Sequence, residues 1–195
     1  MRQNLTDFIS EENIFETIKE RFGSKINNEA TAIDKIEISR ILKDFIEIVK
    51  PKKILEIGTY QGLSAAYLSL FAEVITVDLH FQPISKEIWD YLGVSERIRF
   101  FVSPELDRIK KFVENLDFDC AFIDGEHTYK AVSHDYELVR KCGNVIFHDY
   151  AWHLIKENKE DSFPGVTKFV NSLPEDEVLK SPPFALWRDE NARRE

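Results

Sequence analysis

Between Ile38 and Val49 the apolar residues fall at Ile38, Ile41, Leu42, Phe45, Ile46 and Val49, the i, i+3, i+4 repeat of a helix with one buried face. Pro51 ends it. Upstream, Asn4 to Phe22 reads as a second helical stretch with Thr6 or Ser10 as its cap, and Gly23 to Ala30 as a loop. After Pro51 the pattern changes. Short β-branched runs predict strands over Lys53 to Ile57, Glu73 to Asp78, Ile98 to Val102, Phe118 to Asp124 and Asn144 to His148. Helical spacing predicts helices over Leu63 to Phe71, Ile84 to Leu92, Pro104 to Asn115 and Thr128 to Lys141. Such alternation builds stacked βαβ units. The tail predicts a helix over Pro164 to Leu173 and two short strands, Glu177 to Leu179 and Phe184 to Arg188, turning at Pro182-Pro183. The expected fold is α/β: a doubly wound, mostly parallel sheet of about seven strands with a C-terminal antiparallel hairpin and N-terminal helices.

With 195 residues and no linker or repeat, the chain is expected to form one domain, residues 1–50 capping a core of residues 51–195. A net charge of −9, with Lys and Arg scattered among Asp and Glu, weighs against a nucleic-acid partner. The longest uncharged run, Ile57 to Ala72, is too short to span a membrane and is broken by glycine. Asp7, Glu11 and Glu12 occupy the stretch where a secretion signal needs apolar residues. Cys120 and Cys142 are 22 positions apart without a metal-type or redox spacing. They are expected to be buried free thiols, so a cytoplasmic location is expected. An apolar face on the N-terminal helices would support a homodimer.

In an open parallel sheet, ligands bind outside the carboxyl ends of the strands. Here those ends carry Glu56, Asp78, Asp124 and the pair His148 and Asp149. The first continues as Glu56-Ile57-Gly58-Thr59-Tyr60-Gln61-Gly62 before a helix that opens on Leu63 and Ser64. Asp78 follows Gly58 by 20 residues, the distance at which a nucleotide-binding βαβ unit presents a carboxylate to ribose hydroxyls. This much suits NAD, FAD or S-adenosylmethionine. The dinucleotide fingerprint needs a second glycine where Tyr60 stands, because a pyrophosphate must approach the backbone there. S-adenosylmethionine has no phosphate, and its ammonium could be balanced by Glu56, directly or through water.

The segment Glu56-x-Gly58-x-x-x-Gly62 with Asp78 resembles the first two motifs of the class I S-adenosylmethionine-dependent methyltransferases, which are Rossmann-like. The run Ile123-Asp124-Gly125-Glu126-His127-x-Tyr129, continuing through Asp135 to Phe147-His148-Asp149-Tyr150, is similar to small metal-dependent O-methyltransferases of the macrocin and catechol types. The resemblance covers roughly residues 38 to 188. It implies a cofactor site at Glu56, Gly58, Thr59, Tyr60, Gly62, Ser64, Asp78 and Asp124. It also implies a divalent cation on Asp124 and Asp149 that binds the acceptor hydroxyl. Two carboxylates suit Mg²⁺. Where catechol-type enzymes have an oxygen ligand, this chain has His148, which would favour a softer ion or not ligate at all. Asp124 and Asp149 could instead organise the loops or bind substrate. His127, three residues past Asp124, is placed to act as general base. His80 and His153 stand just past strands, His134 is expected at the surface, and Tyr150 to Phe163, with Trp152, would cover the acceptor. The activity implied is methyl transfer to a hydroxyl of a small molecule. A nicotinamide-dependent oxidoreductase and a non-catalytic nucleotide-binding module are the rivals.

Overall fold

A computed structural model describes residues 10, 13–27, 36–156 and 160–189. Helices α1 (Ile14–Phe22) and α2 (Ile36–Val49) precede the sheet. β1 (Lys53–Ile57), α3 (Leu63–Leu68), β2 (Glu73–Asp78), α4 (Pro83–Leu92), β3 (Ile98–Val102), α5 (Leu106–Glu114), β4 (Cys120–Ile123), α6 (Tyr129–Val139) and β5 (Asn144–Phe147) follow in alternation. The chain closes with α7 (His153–Lys156), α8 (Pro164–Val170), β6 (Val178–Ser181) and β7 (Phe184–Arg188). The sheet order is β3-β2-β1-β4-β5-β7-β6. The first five strands pair in parallel, and β7 lies antiparallel to both β5 and β6. The order reverses between β1 and β4, which opens the crevice where such sheets bind ligands.

The ends of these elements follow from local chemistry. Pro83 and Pro164 sit in the first turns of α4 and α8, where a missing N–H costs nothing. Thr128 caps α6 by accepting the Ala131 N–H at 3.3 Å. Of the N-terminal helix expected from Asn4, the part before Ser10 lies outside the described residues, as does Thr6. Asn13, not Ser10, stands at the cap position of α1. Strands four and five are shorter than expected, since Asp124 and His148 leave the ladder to turn toward the crevice.

Apolar residues form two layers, one on each face of the sheet. On one face Ile14, Ile18, Leu42 and Phe45 pack with Ile54, Phe122 and Phe184, so the N-terminal helices share a core with the sheet. On the other, Leu55, Ile123 and Phe147 pack against α5, α6 and α8 through Ile109, Tyr136 and Phe169. Burial of each such side chain contributes about 1.5–3 kcal/mol. Cys120 is buried and free, whereas Cys142 is free but only partly buried. Among the described residues, no helix is long and apolar enough to cross a membrane.

Candidate active site

A cavity of about 990 Å³ opens at the carboxyl end of the sheet. At one end of its lining stand Tyr60 and Asp78, at the other His127, Asp149, Trp152 and Phe163, with Gly58 and Asp124 between.

The turn after β1 is built around Gly58 and Gly62, with φ of 99° and 76°. At Gly58 a Cβ would lie 2.1 Å from the Asp124 carbonyl oxygen, so glycine is what lets this turn meet the end of β4. Gly62 serves packing instead: a Cβ there would come within 2.7 Å of Ser85 and Trp89 on α4, and the Trp89 indole N–H donates to the Gly62 carbonyl at 2.8 Å. Asp78 accepts the Tyr60 N–H on Oδ2 at 2.8 Å and the His80 N–H on Oδ1 at 3.0 Å. It thus holds the turn while facing the cavity.

Glu56, Thr59, Gly62 and Ser64, all expected to touch the cofactor, lie behind the cavity wall rather than in its lining. Glu56 is fully buried. The Thr76 hydroxyl donates to its Oε2 at 2.5 Å and lies 2.6 Å from the Thr59 hydroxyl. Among the described residues Oε1 has no hydrogen-bond partner. Burial raises the Glu56 pKa from its ordinary 4.5 to about 8, helped by the Asp124 and Asp78 charges and opposed by the Ser64 and Thr76 hydroxyls. At neutral pH, with no cation beside it, the group keeps its proton.

The ends of β4 and β5 bring four ionisable groups together. His127 Nε2 lies 2.8 Å from Asp149 Oδ2 and 3.8 Å from Asp124 Oδ1. His148 Nδ1 lies 2.8 Å from Asp124 Oδ1 and 3.3 Å from Asp149 Oδ2. Burial opposes charge on both histidines, but the two carboxylates outweigh it and raise His127 to about 9 and His148 to about 10. Burial likewise opposes charge on Asp149, yet the two imidazoles hold it well below the usual carboxylate range. Ligand atoms of Asp124, His127 and Asp149 lie within 4.8 Å of one another, close enough to share one cation.

His148 is placed otherwise than as the cation ligand it was expected to be. Its Nδ1 is spent on Asp124, and its ring lies among Phe184, Trp152 and Phe122, with centroids 5.1, 6.1 and 6.2 Å away. His127 is instead the histidine whose ring converges with Asp124 and Asp149, its Nε2 lying 2.8 Å from Asp149 Oδ2. Phe163 lies tilted against the His127 ring, with centroids 4.4 Å apart, and, with Trp152, lines this end. His80 and His153 do not line the cavity; His134 is exposed, as expected, and also borders it. Lys130, Ala131, Asp135 and Leu138 join it from α6. The signal was present as a second stripe at 131, 134, 135 and 138, but it mixes apolar and charged types and so does not read as a buried face.

Residues 55–150 match the family described as a methyltransferase domain. A curated mouse (Mus musculus) relative, catechol O-methyltransferase domain-containing protein 1, is 26% identical over 99 residues, a match that spans 46% of this chain and 38% of that protein. Among solved structures, an SAH-bound methyltransferase from Podospora anserina superposes with a TM-score of 0.66 at 20% identity, covering 91% of this chain and 88% of that one. An O-methyltransferase from Bacillus cereus in complex with SAH gives a TM-score of 0.64 at 17% identity, covering 96% of each chain. At such identities the structures show a common fold. Residues 55–150 thus match a methyltransferase domain, and the chain shares the fold of these SAH-bound methyltransferases.

Proposed function

We propose that the chain transfers the methyl group of S-adenosylmethionine to a hydroxyl oxygen of a small molecule, with a divalent cation held by Asp124, His127 and Asp149. The observation that carries this is one cavity with a ribose-type carboxylate, Asp78, at one end and the Asp124, His127 and Asp149 cluster at the other. The mouse relative's name, which includes a catechol O-methyltransferase domain, and the SAH-bound O-methyltransferase from Bacillus cereus support oxygen as the acceptor.

The residues fit both groups. Each Asp78 oxygen takes one backbone N–H, and a carboxylate has about four lone-pair sites, so acceptor capacity remains for a ribose diol. Tyr60 stands where a dinucleotide's pyrophosphate would need glycine, which disfavours a nicotinamide cofactor. The cation's donors are two carboxylates and an imidazole, a set suited to Mn²⁺, Fe²⁺ or Zn²⁺ as well as Mg²⁺. The buried His127 Nε2 lacks a hydrogen bond until a ligand-accepting centre is supplied.

When bound, S-adenosylmethionine supplies a methyl group on an activated sulfonium leaving group, and a divalent cation lowers the pKa of a hydroxyl it contacts. The chain supplies position. His148 fixes the Asp124 carboxylate through the 2.8 Å bond from Nδ1. Phe163 and Trp152 line the acceptor end with aromatic surface. Held between two carboxylates, His127 carries a proton at neutral pH with no cation present, and it would have to give up that proton to take a cation on Nε2.

Thermal unfolding with S-adenosylmethionine, S-adenosylhomocysteine or NAD, each with Mg²⁺, Mn²⁺ or EDTA, tests this. A ligand at 100 times its Kd adds about 2.7 kcal/mol, which raises the midpoint by roughly 5–11 °C in a chain of this size. The sulfur cofactors should produce that rise, and Mn²⁺ should add to it. A rise with NAD alone would overturn the assignment.

A further inference from the structure

α8 touches both loops that carry the cation cluster. A Cβ on Gly165, in its first turn, would lie 2.3 Å from the His127 carbonyl oxygen and 2.5 Å from the Tyr129 nitrogen, so glycine lets the helix seat on the backbone beside His127. Two residues on, the Thr167 hydroxyl accepts the Ala151 N–H at 2.9 Å, in the turn that opens with Asp149. That turn needs holding, because Asp149 and Ala151 both sit at positive φ, 61° and 51°. A hydroxyl has one proton, and it accepts from Ala151 only while that proton points elsewhere. Asp161 takes it. The Asp161 Oδ2 accepts the Thr167 O–H, and its Oδ1 accepts the Phe163 N–H at 3.2 Å. The Asp161 side chain is 13% exposed, and His153 Nδ1, 3.7 Å from Oδ2, is beyond hydrogen-bond length.

A mostly buried carboxylate is costly unless it is hydrogen-bonded, and the bonds that satisfy Asp161 go to segments bordering the acceptor end. Asp161 itself does not line the cavity. We infer that Asp161 is a positioning residue of the acceptor end: it orients the Thr167 hydroxyl, and α8 thereby sets Asp149 in its place beside His127, 2.8 Å away. The inference rests on the cation reading above, since what this spacing controls is the fit of a cation between ligands drawn from two separate loops. Groups that orient ligands in this indirect way change metal affinity by about 10- to 100-fold when they are removed.

Mn²⁺ titration followed by electron paramagnetic resonance, with S-adenosylhomocysteine affinity measured separately in EDTA, tests this on the unaltered chain, Asp161→Asn, Thr167→Val, Thr167→Ser and the double variant of the first two. Asn offers one acceptor oxygen where two donors need one each, and Val is close to Thr in shape but has no hydroxyl. Asp161→Asn and Thr167→Val should each weaken Mn²⁺ binding by about 10- to 100-fold. The double variant should match Thr167→Val within about threefold, because both changes act through one bond. Thr167→Ser keeps the hydroxyl and should stay within about threefold of the unaltered chain. S-adenosylhomocysteine affinity should hold within about threefold throughout. A dissociation constant is not altered by a fraction of unfolded chain. Mn²⁺ affinity unchanged in Asp161→Asn and Thr167→Val, equal losses of Mn²⁺ and S-adenosylhomocysteine, additive losses in the double variant, or no rescue by Thr167→Ser overturns the inference. An unaltered chain that binds S-adenosylhomocysteine but not Mn²⁺ overturns the cation reading, and the inference with it. One that does not bind S-adenosylhomocysteine overturns the cofactor assignment, while the Mn²⁺ comparison still decides the role of Asp161.

Discussion

The turns after β1 and after β5 both hold non-glycine residues in the left-handed region, Tyr60 at φ 44° in the first and Asp149 and Ala151 at 61° and 51° in the second. They use that strain differently. After β1 the polar side chains are spent inside the fold: Thr59, Thr76 and Glu56 bond in a buried chain, and Gly62 is sealed by Trp89. After β5 the strained turn is pinned from outside, by the Tyr150 N–H on the Pro183 carbonyl and the Ala151 N–H on the Thr167 hydroxyl, both at 2.9 Å. It thereby holds Asp149 against His127 at the cavity wall, 2.8 Å away. Strain costs about 1–3 kcal/mol per residue and persists only where the surroundings enforce it. Polar groups satisfied internally mark a turn that serves the fold, and groups aimed at one another across a cavity mark one that serves a ligand.

Substitutions separate the two turns. The largest effect is expected at Asp149→Ala, which should lower kcat by roughly 10² to 10⁴ while leaving S-adenosylhomocysteine affinity within about threefold in titration. Equal loss of cofactor binding would move Asp149 into the cofactor site and break the contrast. Next is Gly58→Ala, where a Cβ 2.1 Å from a backbone oxygen combines with a positive φ. It should cost about 3 kcal/mol or more, read as a lower unfolding midpoint, and should also weaken S-adenosylhomocysteine, because Gly58 lines the cavity. Gly62→Ala should cost about 1–3 kcal/mol by crowding Trp89 with cofactor affinity unchanged in the folded fraction. A selective loss of affinity there would place Gly62 in the site after all.

A pH-dependent effect sharpens the structural reading of the first turn. Glu56 has a pKa near 8 when folded and 4.5 ordinarily, so the folded chain keeps a proton that the unfolded chain releases. Its contribution is fully present below pH 4.5 and declines as pH rises through about 8. Glu56→Gln carries no such dependence. Midpoints measured from pH 5 to pH 9 should diverge in favour of the variant, by on the order of 10 °C at the alkaline end. A constant difference across that range would show that Glu56 is already ionised in the fold.

Much of this architecture was legible in the chain. β1, β2, β3 and β7 begin and end where the β-branched runs do, and the α/β alternation fixed the sheet type. The strand ends Asp78, Asp124 and Asp149 were legible as cavity residues for the same reason: a parallel sheet gathers ligands at one edge. Local pattern and spacing act over a few residues, and these features are local. What the tertiary structure decided is which polar atoms meet. Glu56, two residues before a recognisable glycine, turned out to be buried, because the side chain of the penultimate strand residue points into the core. His127 rather than His148 brings a ring nitrogen to the convergent carboxylates of Asp124 and Asp149, because the Nδ1 of His148 is already bonded to Asp124. Asp135 reaches the cavity only through the packing of α6 beside α5. Sequence periodicity assigns a residue to a face of its own element. Which neighbour that face meets, and whether a carboxylate there is paired, buried or open to a ligand, depends on contacts between segments far apart in the chain.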